Sequence, residues 1–180
     1  MAFEYLKSIS GGMDKNAVLE ELMHVYGDDV WHYAFFLTRR KELADDIAQE
    51  VFVKVYERLY SFRGEATVKT WLLAITRNLV KDHWRSAWMR RVIPFGLRRR
   101  ADGGPSAEAE AMGRFVAEEV WRIVLELPRK LREVLLLHAH HQLTHTEIAR
   151  LLSLSEGTVK SRLHRARAKV TQRLNEEGAQ

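Results

Sequence analysis

The sequence predicts an all-α protein of two small helical domains joined by a flexible linker, the C-terminal one a helix-turn-helix. Three observations carry this. Apolar residues recur at three- and four-residue spacing in both halves of the chain, and no alternating strand pattern of useful length occurs. The stretch GLRRRADGGPSAEAEAMG, Gly96 to Gly113, interrupts that spacing, with Pro94, Gly103, Gly104 and Pro105 clustered in or beside it. Near the C-terminus two helical patterns share a short span around a three-residue break. The division is therefore residues 1–91, a tether of residues 92–113 and residues 114–180. About twenty flexible residues span ~25 Å end to end.

The first half reads as three helices. AVLEELMHVYGDDVWHYAFFL, from Ala17, and ELADDIAQEVFVKVYERLYSF, from Glu42, are the first two, the second with Leu43, Ile47, Val51, Val55 and Leu59 in one stripe. A break from Arg63 to Thr67, around Gly64, precedes a third helix from Val68 to about Met89, with Leu72, Ile75 and Leu79 inward. The second half opens with a stripe of Val116, Val120, Ile123, Val124 and Leu127, ended by Pro128. RKLREVLLLHAHH follows, with Leu131, Val134, Leu135 and His138 at helical spacing. In THTEIARLLSLSEGTVKSRL, Thr144 and Glu147 fit a capping box and Ser155 is placed to cap the last helix.

Composition narrows the function. With 180 residues, 46% of them hydrophobic, the chain can bury one ordinary core or two small ones. It has no cysteine, which excludes disulfides, thiolate catalysis and cysteine-ligated zinc and suits a reducing cytoplasm. Apolar runs such as AFFL and VLLL fall far short of the ~20 residues a bilayer span needs, and no basic-then-apolar leader marks export. The expectation is a soluble cytoplasmic protein without membrane insertion. The net charge of +5 is uneven: residues 1–90 carry 13 basic against 13 acidic side chains, residues 114–180 carry 12 against 8. That excess points to a polyanionic partner at the C-terminal end.

The segment SEGTVKSRLHRARAKV, Ser155 to Val170, holds five cations and one carboxylate. At ~100° per residue, Val159, Leu163, Ala166 and Val170 share one narrow arc, the buried side. The opposite side presents Gly157, Ser161, His164 and Ala168, flanked by Thr158, Lys160 and Arg165. Small, hydrogen-bonding groups at the centre and cations at the rim suit a helix that enters the major groove, because bulk at the centre would hold it off the bases. Lys160, Ser161, His164 and Arg165 are the base-reading candidates; Arg162, Arg167 and Lys169 are better placed for phosphates.

Elsewhere the residues leave alternatives open. The third helix combines cations at Arg77, Lys81 and Arg85 with Trp71, Trp84 and Trp88, a mixture that suits single-stranded nucleic acid and equally an ordinary wet face. Asp45, Asp46, Gln49 and Glu50 near the start of the second helix fit either its dipole or a face that docks a protein. No acid/base or nucleophilic constellation appears, so no catalytic residue and no cofactor is assigned. His138, His140, His141 and His145 are dense enough to raise a metal site, but no carboxylate completes a set, and the reading is a polar helix end and loop.

The order DDIAQEVFVKVY, FRGEATVKTWLLAITRN, a variable linker, LP.KLREVLLLH and LTHTEIARLLSLSEGTVKSRLHRAR closely resembles the extracytoplasmic-function (ECF) sigma factors of bacterial RNA polymerase, over roughly residues 16–173. The resemblance implies a sigma factor without enzymatic activity that binds core RNA polymerase and promoter DNA and confers promoter-specific initiation. By position, Asp46, Gln49, Glu50 and Phe52 would dock on the polymerase. Arg63, Gly64 and Lys69 in and beside the loop, with Asn78, Lys81, Asp82 and Arg85 on the third helix, would capture the melted minus-ten strand. Thr158, Lys160, Ser161, Arg162, His164 and Arg165 would read the minus-thirty-five duplex. An anti-sigma factor is the further implied partner. The chain departs from the family pattern at Ser153, where glycine is usual, so that a left-handed turn would cost ~1 kcal/mol and an adjusted turn is expected. It departs again at Val68 and Lys69. The rival reading is a stand-alone helix-turn-helix regulator that binds its operator as a dimer.

Overall fold

The computed structural model describes residues 14–92 and 118–177. They form α1 (Lys15–Thr38), α2 (Lys41–Arg58), a turn of 3-10 helix (Leu59–Ser61), α3 (Val68–Val92), α4 (Glu118–Glu126), α5 (Arg129–Ala139), α6 (His145–Leu152) and α7 (Glu156–Glu177). No β-strand occurs among the described residues, and no helix among them is long and apolar enough to cross a membrane. Two compact units result, the first holding α1–α3 and the second α4–α7. The tether expected at residues 92–113 lies outside the described residues except for Val92, which is still helical, and Val116 and residues 1–13 also lie outside them.

In the first unit α2 and α3 both pack on α1. The C-terminal half of α1 is accordingly apolar around most of its circumference: Val30, Tyr33, Ala34, Phe35, Phe36 and Leu37 are all buried. Burial also pushes the His32 imidazole below its ordinary range, against an opposing pull from Asp28 and Asp29. The helix starts at Asp14, whose carboxylate accepts the Asn16 N–H at 2.9 Å, and ends at Arg39 in the left-handed region (φ 58). All five stripe residues of the second helix are buried, and the buried face widens to take in Ala44 and Phe52. On α3, Leu72, Ile75 and Leu79 face inward as spaced, joined by Leu73, Thr76 and Val80. The Thr76 hydroxyl costs little there because it donates to Leu72 O at 2.9 Å.

In the second unit α7 packs against α4, α5 and α6. Ile123, Val124 and Leu127 of the α4 stripe are buried as expected. The expected α5 stripe is corrected: Leu131, Leu135 and His138 are only half-buried, while Arg132, Glu133, Val134, Leu136 and Leu137 go inside. An 11-residue helix flanked by α6 and α7 has no single inward stripe. Arg132 is drawn in because its guanidinium donates to Leu125 O at 2.5 Å, satisfying a carbonyl at the end of α4. At the other end of α5, His138 Nδ1 lies 3.1 Å from Leu143 O, its ring stacks on His145 at 5.1 Å, and His141 is buried.

Ser153 does not adjust the turn. It sits in the left-handed region (φ 56, ψ 52), with its N–H on Arg150 O at 3.2 Å and the Leu154 N–H on Ala149 O at 2.8 Å, a Schellman closure of α6. A serine side chain there carries strain that glycine lacks. Ser153→Gly is therefore expected to raise the stability of the second unit by ~1 kcal/mol, read as a rise in its urea midpoint. An unchanged or lower midpoint would show that the serine is not strained.

Candidate nucleic-acid interface

The second unit presents α7 on a fixed mount. Thr144 and Glu147 form the capping box: the Thr144 hydroxyl accepts the Glu147 N–H at 3.2 Å and the Glu147 carboxylate accepts the Thr144 N–H at 2.9 Å. Ser155 Oγ accepts the Thr158 N–H at 3.2 Å and starts α7, while the Thr146 hydroxyl donates to Glu156 Oε1 at 2.7 Å and ties the two helix starts together. Val159, Leu163 and Ala166 are fully buried against the unit, and Val170 only half so. Lys160, Ser161, His164 and Arg165 face solvent, with Thr158 and Arg162 half-exposed at the edges.

Two details refine that face. A Cβ placed on Gly157 would meet nothing nearer than Ser155 Oγ at 4.0 Å, so the fold does not require glycine there. The small size is left for whatever approaches from outside. Arg165 curls back along its own helix, donating to Ser161 Oγ at 2.8 Å and Ser161 O at 3.3 Å, so these two base-reading candidates hold each other.

In the first unit the loop after the 3-10 turn is compact. Gly64 takes a positive φ of 70, which lets the chain reverse between Phe62 and Thr67. Phe62 packs on Trp71 at 5.0 Å between ring centroids, and the Thr67 hydroxyl accepts the Thr70 N–H at 3.1 Å, capping α3. Arg63, Asn78, Lys81, Asp82 and Arg85 are exposed, Arg85 and Asp82 lying 3.4 Å apart. Lys69 is placed differently from the other minus-ten candidates: its Nζ lies 2.9 Å from Asp29 Oδ2 on α1, with both side chains about three-quarters covered. Trp84 is half-buried, and the side chain of Trp88 lies outside the described residues.

Between α2 and α3 a polar recess of about 270 Å³ is lined by Lys54, Arg58, Asn78, Lys81 and Asp82. Sequence reasoning missed Lys54 and Arg58, although their four-residue spacing away from the Leu43–Leu59 stripe marks them as a cationic edge of α2. The α2 candidates separate. Asp46, Gln49 and Glu50 are exposed, whereas Phe52, assigned with them to a docking surface, is 7% exposed and lies in the core. Asp45 is taken by Trp31, whose indole N–H donates to it at 2.6 Å. Val53 and Tyr56, which sequence reasoning missed, are 57% and 38% exposed and continue the stripe of Asp46, Gln49 and Glu50. Lys15 lies over the Tyr56 ring at 4.0 Å.

Residues 22–90 match the family model described as Sigma-70 region 2, and residues 117–170 match the one described as Sigma-70, region 4. The chain is 34% identical over 145 residues to a probable RNA polymerase sigma factor, RfaY, of Xanthomonas campestris, an overlap of 78% of this chain but only 36% of that longer relative. It is 30% identical over 162 residues to the ECF RNA polymerase sigma factor SigC of Mycobacterium tuberculosis, covering 89% of this chain and 85% of that one. Among solved structures, the sigma factor RpoE in its complex with the anti-sigma factor NepR from Bartonella quintana is similar in fold, with a TM-score of 0.68 at 20% identity over 87% of this chain and 96% of that one.

Proposed function

The chain belongs to the sigma-70 family of RNA polymerase sigma factors, in its ECF group, and from that premise we propose how its two units divide the work of promoter-specific initiation. The second unit reads the minus-thirty-five element as duplex. α7 enters the major groove with Gly157, Ser161 and His164 toward the base edges, Lys160 and Arg165 beside them, and Thr158 and Arg162 toward the sugar-phosphate backbone. The first unit captures the melted minus-ten strand. The Arg63–Thr67 loop receives an unpaired base, while Asn78, Lys81, Asp82 and Arg85 of α3, with Lys54 and Arg58 across the recess, follow the backbone. α2 docks on core polymerase through Asp46, Gln49, Glu50, Val53 and Tyr56.

The observation that carries this reading is the pairing, in one chain, of a capped α7 with a small-centred cationic face and a glycine-turned loop beside a cationic α3. No chemical step is assigned to the chain itself. Strand separation is drawn by binding energy, because each base trapped outside the stack stabilises the open form. A regulatory partner, an anti-sigma factor, would act by covering the same exposed faces.

Transcription in vitro with core polymerase and a promoter library tests the reading. The expected result is initiation at a restricted promoter set only when the protein is added. Tight operator binding without polymerase, together with no core binding, would instead establish the stand-alone regulator. Within the same assay, Arg165→Ala is expected to weaken minus-thirty-five-dependent initiation by about tenfold or more, the effect of losing one good base contact. Core affinity is expected to stay unchanged, and a fall in it would overturn the division between units.

A further inference from the structure

The loop between Phe62 and Thr67 is held at both ends. At its entry the Ser61 hydroxyl donates to Arg58 O at 2.7 Å and Phe62 lies on Trp71. At its exit three successive residues are fixed to the scaffold: Val68 is 0% exposed, Thr70 is 4% exposed, and Lys69 between them reaches Asp29 Oδ2 at 2.9 Å. Asp29 belongs to the middle of α1, so the ion pair crosses from one helix to the start of another. Its side chains are 24% and 27% exposed, which leaves the pair less screened than a surface contact. The pairs Lys54–Glu50 and Arg85–Asp82 are local to their own helices and more exposed.

Lys69 would have to abandon Asp29 to reach a phosphate, leaving a partly desolvated carboxylate without that cation. A loop that traps an unpaired base gains most from being shaped beforehand, since ordering on binding subtracts from affinity. We propose that Asp29 is a positioning residue for base capture: its ion pair with Lys69 sets the exit of the Arg63–Thr67 loop, and Lys69 acts as a strut and not as a contact to DNA. This rests on the reading of that loop as part of the minus-ten reader.

The test uses holoenzyme assembled from core polymerase and the full chain as wild type, Asp29→Asn, Lys69→Met, and the swapped double Asp29→Lys/Lys69→Asp. A fluorescent single-stranded oligonucleotide carrying the non-template minus-ten sequence of a promoter the wild type initiates from is titrated across a KCl series. Core affinity is measured in parallel. Both single variants are expected to bind the oligonucleotide about tenfold more weakly, as misplaced binding groups do. The double regains most of the loss, Lys69→Met leaves the salt slope unchanged, and all four bind core equally. A slope reduced by about 0.7 in Lys69→Met, the signature of one lost phosphate contact on a single strand, would overturn the proposal. So would tighter binding by Asp29→Asn, wild-type binding by both single variants, or a double no better than the singles. A wild-type holoenzyme that initiates at promoters yet does not bind the oligonucleotide overturns the reading of the loop itself, and the Asp29 role with it.

Discussion

Leu163→Ala is expected to weaken minus-thirty-five-dependent initiation severely, and most at raised temperature, while leaving the affinity for core polymerase unchanged. Leu163 is 2% exposed and stands between Val159 and Ala166, both fully buried, on the arc that fastens α7 to α4, α5 and α6. Truncating such a leucine costs about 2–5 kcal/mol, because the lost transfer energy is joined by a cavity that the surroundings only partly fill. The described part of the second unit is residues 118–177, and a domain of that size has about 3–9 kcal/mol of total stability. The substitution therefore removes a large share of what holds the reading helix, even though no atom of Leu163 faces the proposed DNA side. Hydrogen exchange on the full chain checks this. Amides of α4–α7 should lose protection and those of α1–α3 should keep theirs, since the two units have separate cores. Loss of protection in α1–α3 would show that the effect is not confined to the second unit, and initiation at the wild-type level would show that Leu163 does not secure α7 as argued.

What sequence reasoning reached depended on how locally each feature is written. The α2 stripe from Leu43 to Leu59, the inward set Leu72, Ile75 and Leu79, the capping box at Thr144 and Glu147, and the arc Val159, Leu163 and Ala166 are all set by neighbours within a turn or two. Each is found where the spacing placed it. Features decided across the fold were not legible. Leu131 and Leu135 form a persuasive stripe, but α5 is flanked by other helices, and its burial is settled by Arg132 reaching the end of α4. Phe52 adjoins the exposed run Gln49–Glu50, and only the width of the α2 core takes it inside. The Asp29–Lys69 pair joins residues forty apart, and a charge at either position carries no periodic sign of its partner. For the candidate site, the spacing placed Lys160, Ser161, His164 and Arg165 on the solvent side of α7, where they are found. On α2 and α3 the helices were legible, but not which of the candidate side chains lie exposed and which, like Phe52 and Lys69, are covered.

Reversing the charge of α2 with Asp46→Lys/Glu50→Lys is expected to lower the affinity for core polymerase by roughly a hundredfold or more, the scale seen when charges inside an interface are mispaired. Both side chains are exposed, and the ion pair that Glu50 forms with Lys54 at 3.7 Å is local and solvent-facing. The substitutions should therefore leave the melting of the first unit close to that of the wild type. Beside them, Val53 and Tyr56 supply exposed apolar area that a polymerase surface would cover, and acidic groups around an apolar patch set the partner's required charge. Phe52 provides the contrast. At 7% exposure its ring cannot meet a partner without leaving the core, so Phe52→Ala should cost about 3–5 kcal/mol of folding stability. Below its lowered melting temperature it should bind core as the wild type does. The two classes of variant thus separate in one pair of measurements, thermal melting and titration with core polymerase. A double charge reversal that still binds core normally would move docking off this face of α2. A folded Phe52→Ala that fails to bind would return the ring to the interface and require α2 to repack on docking.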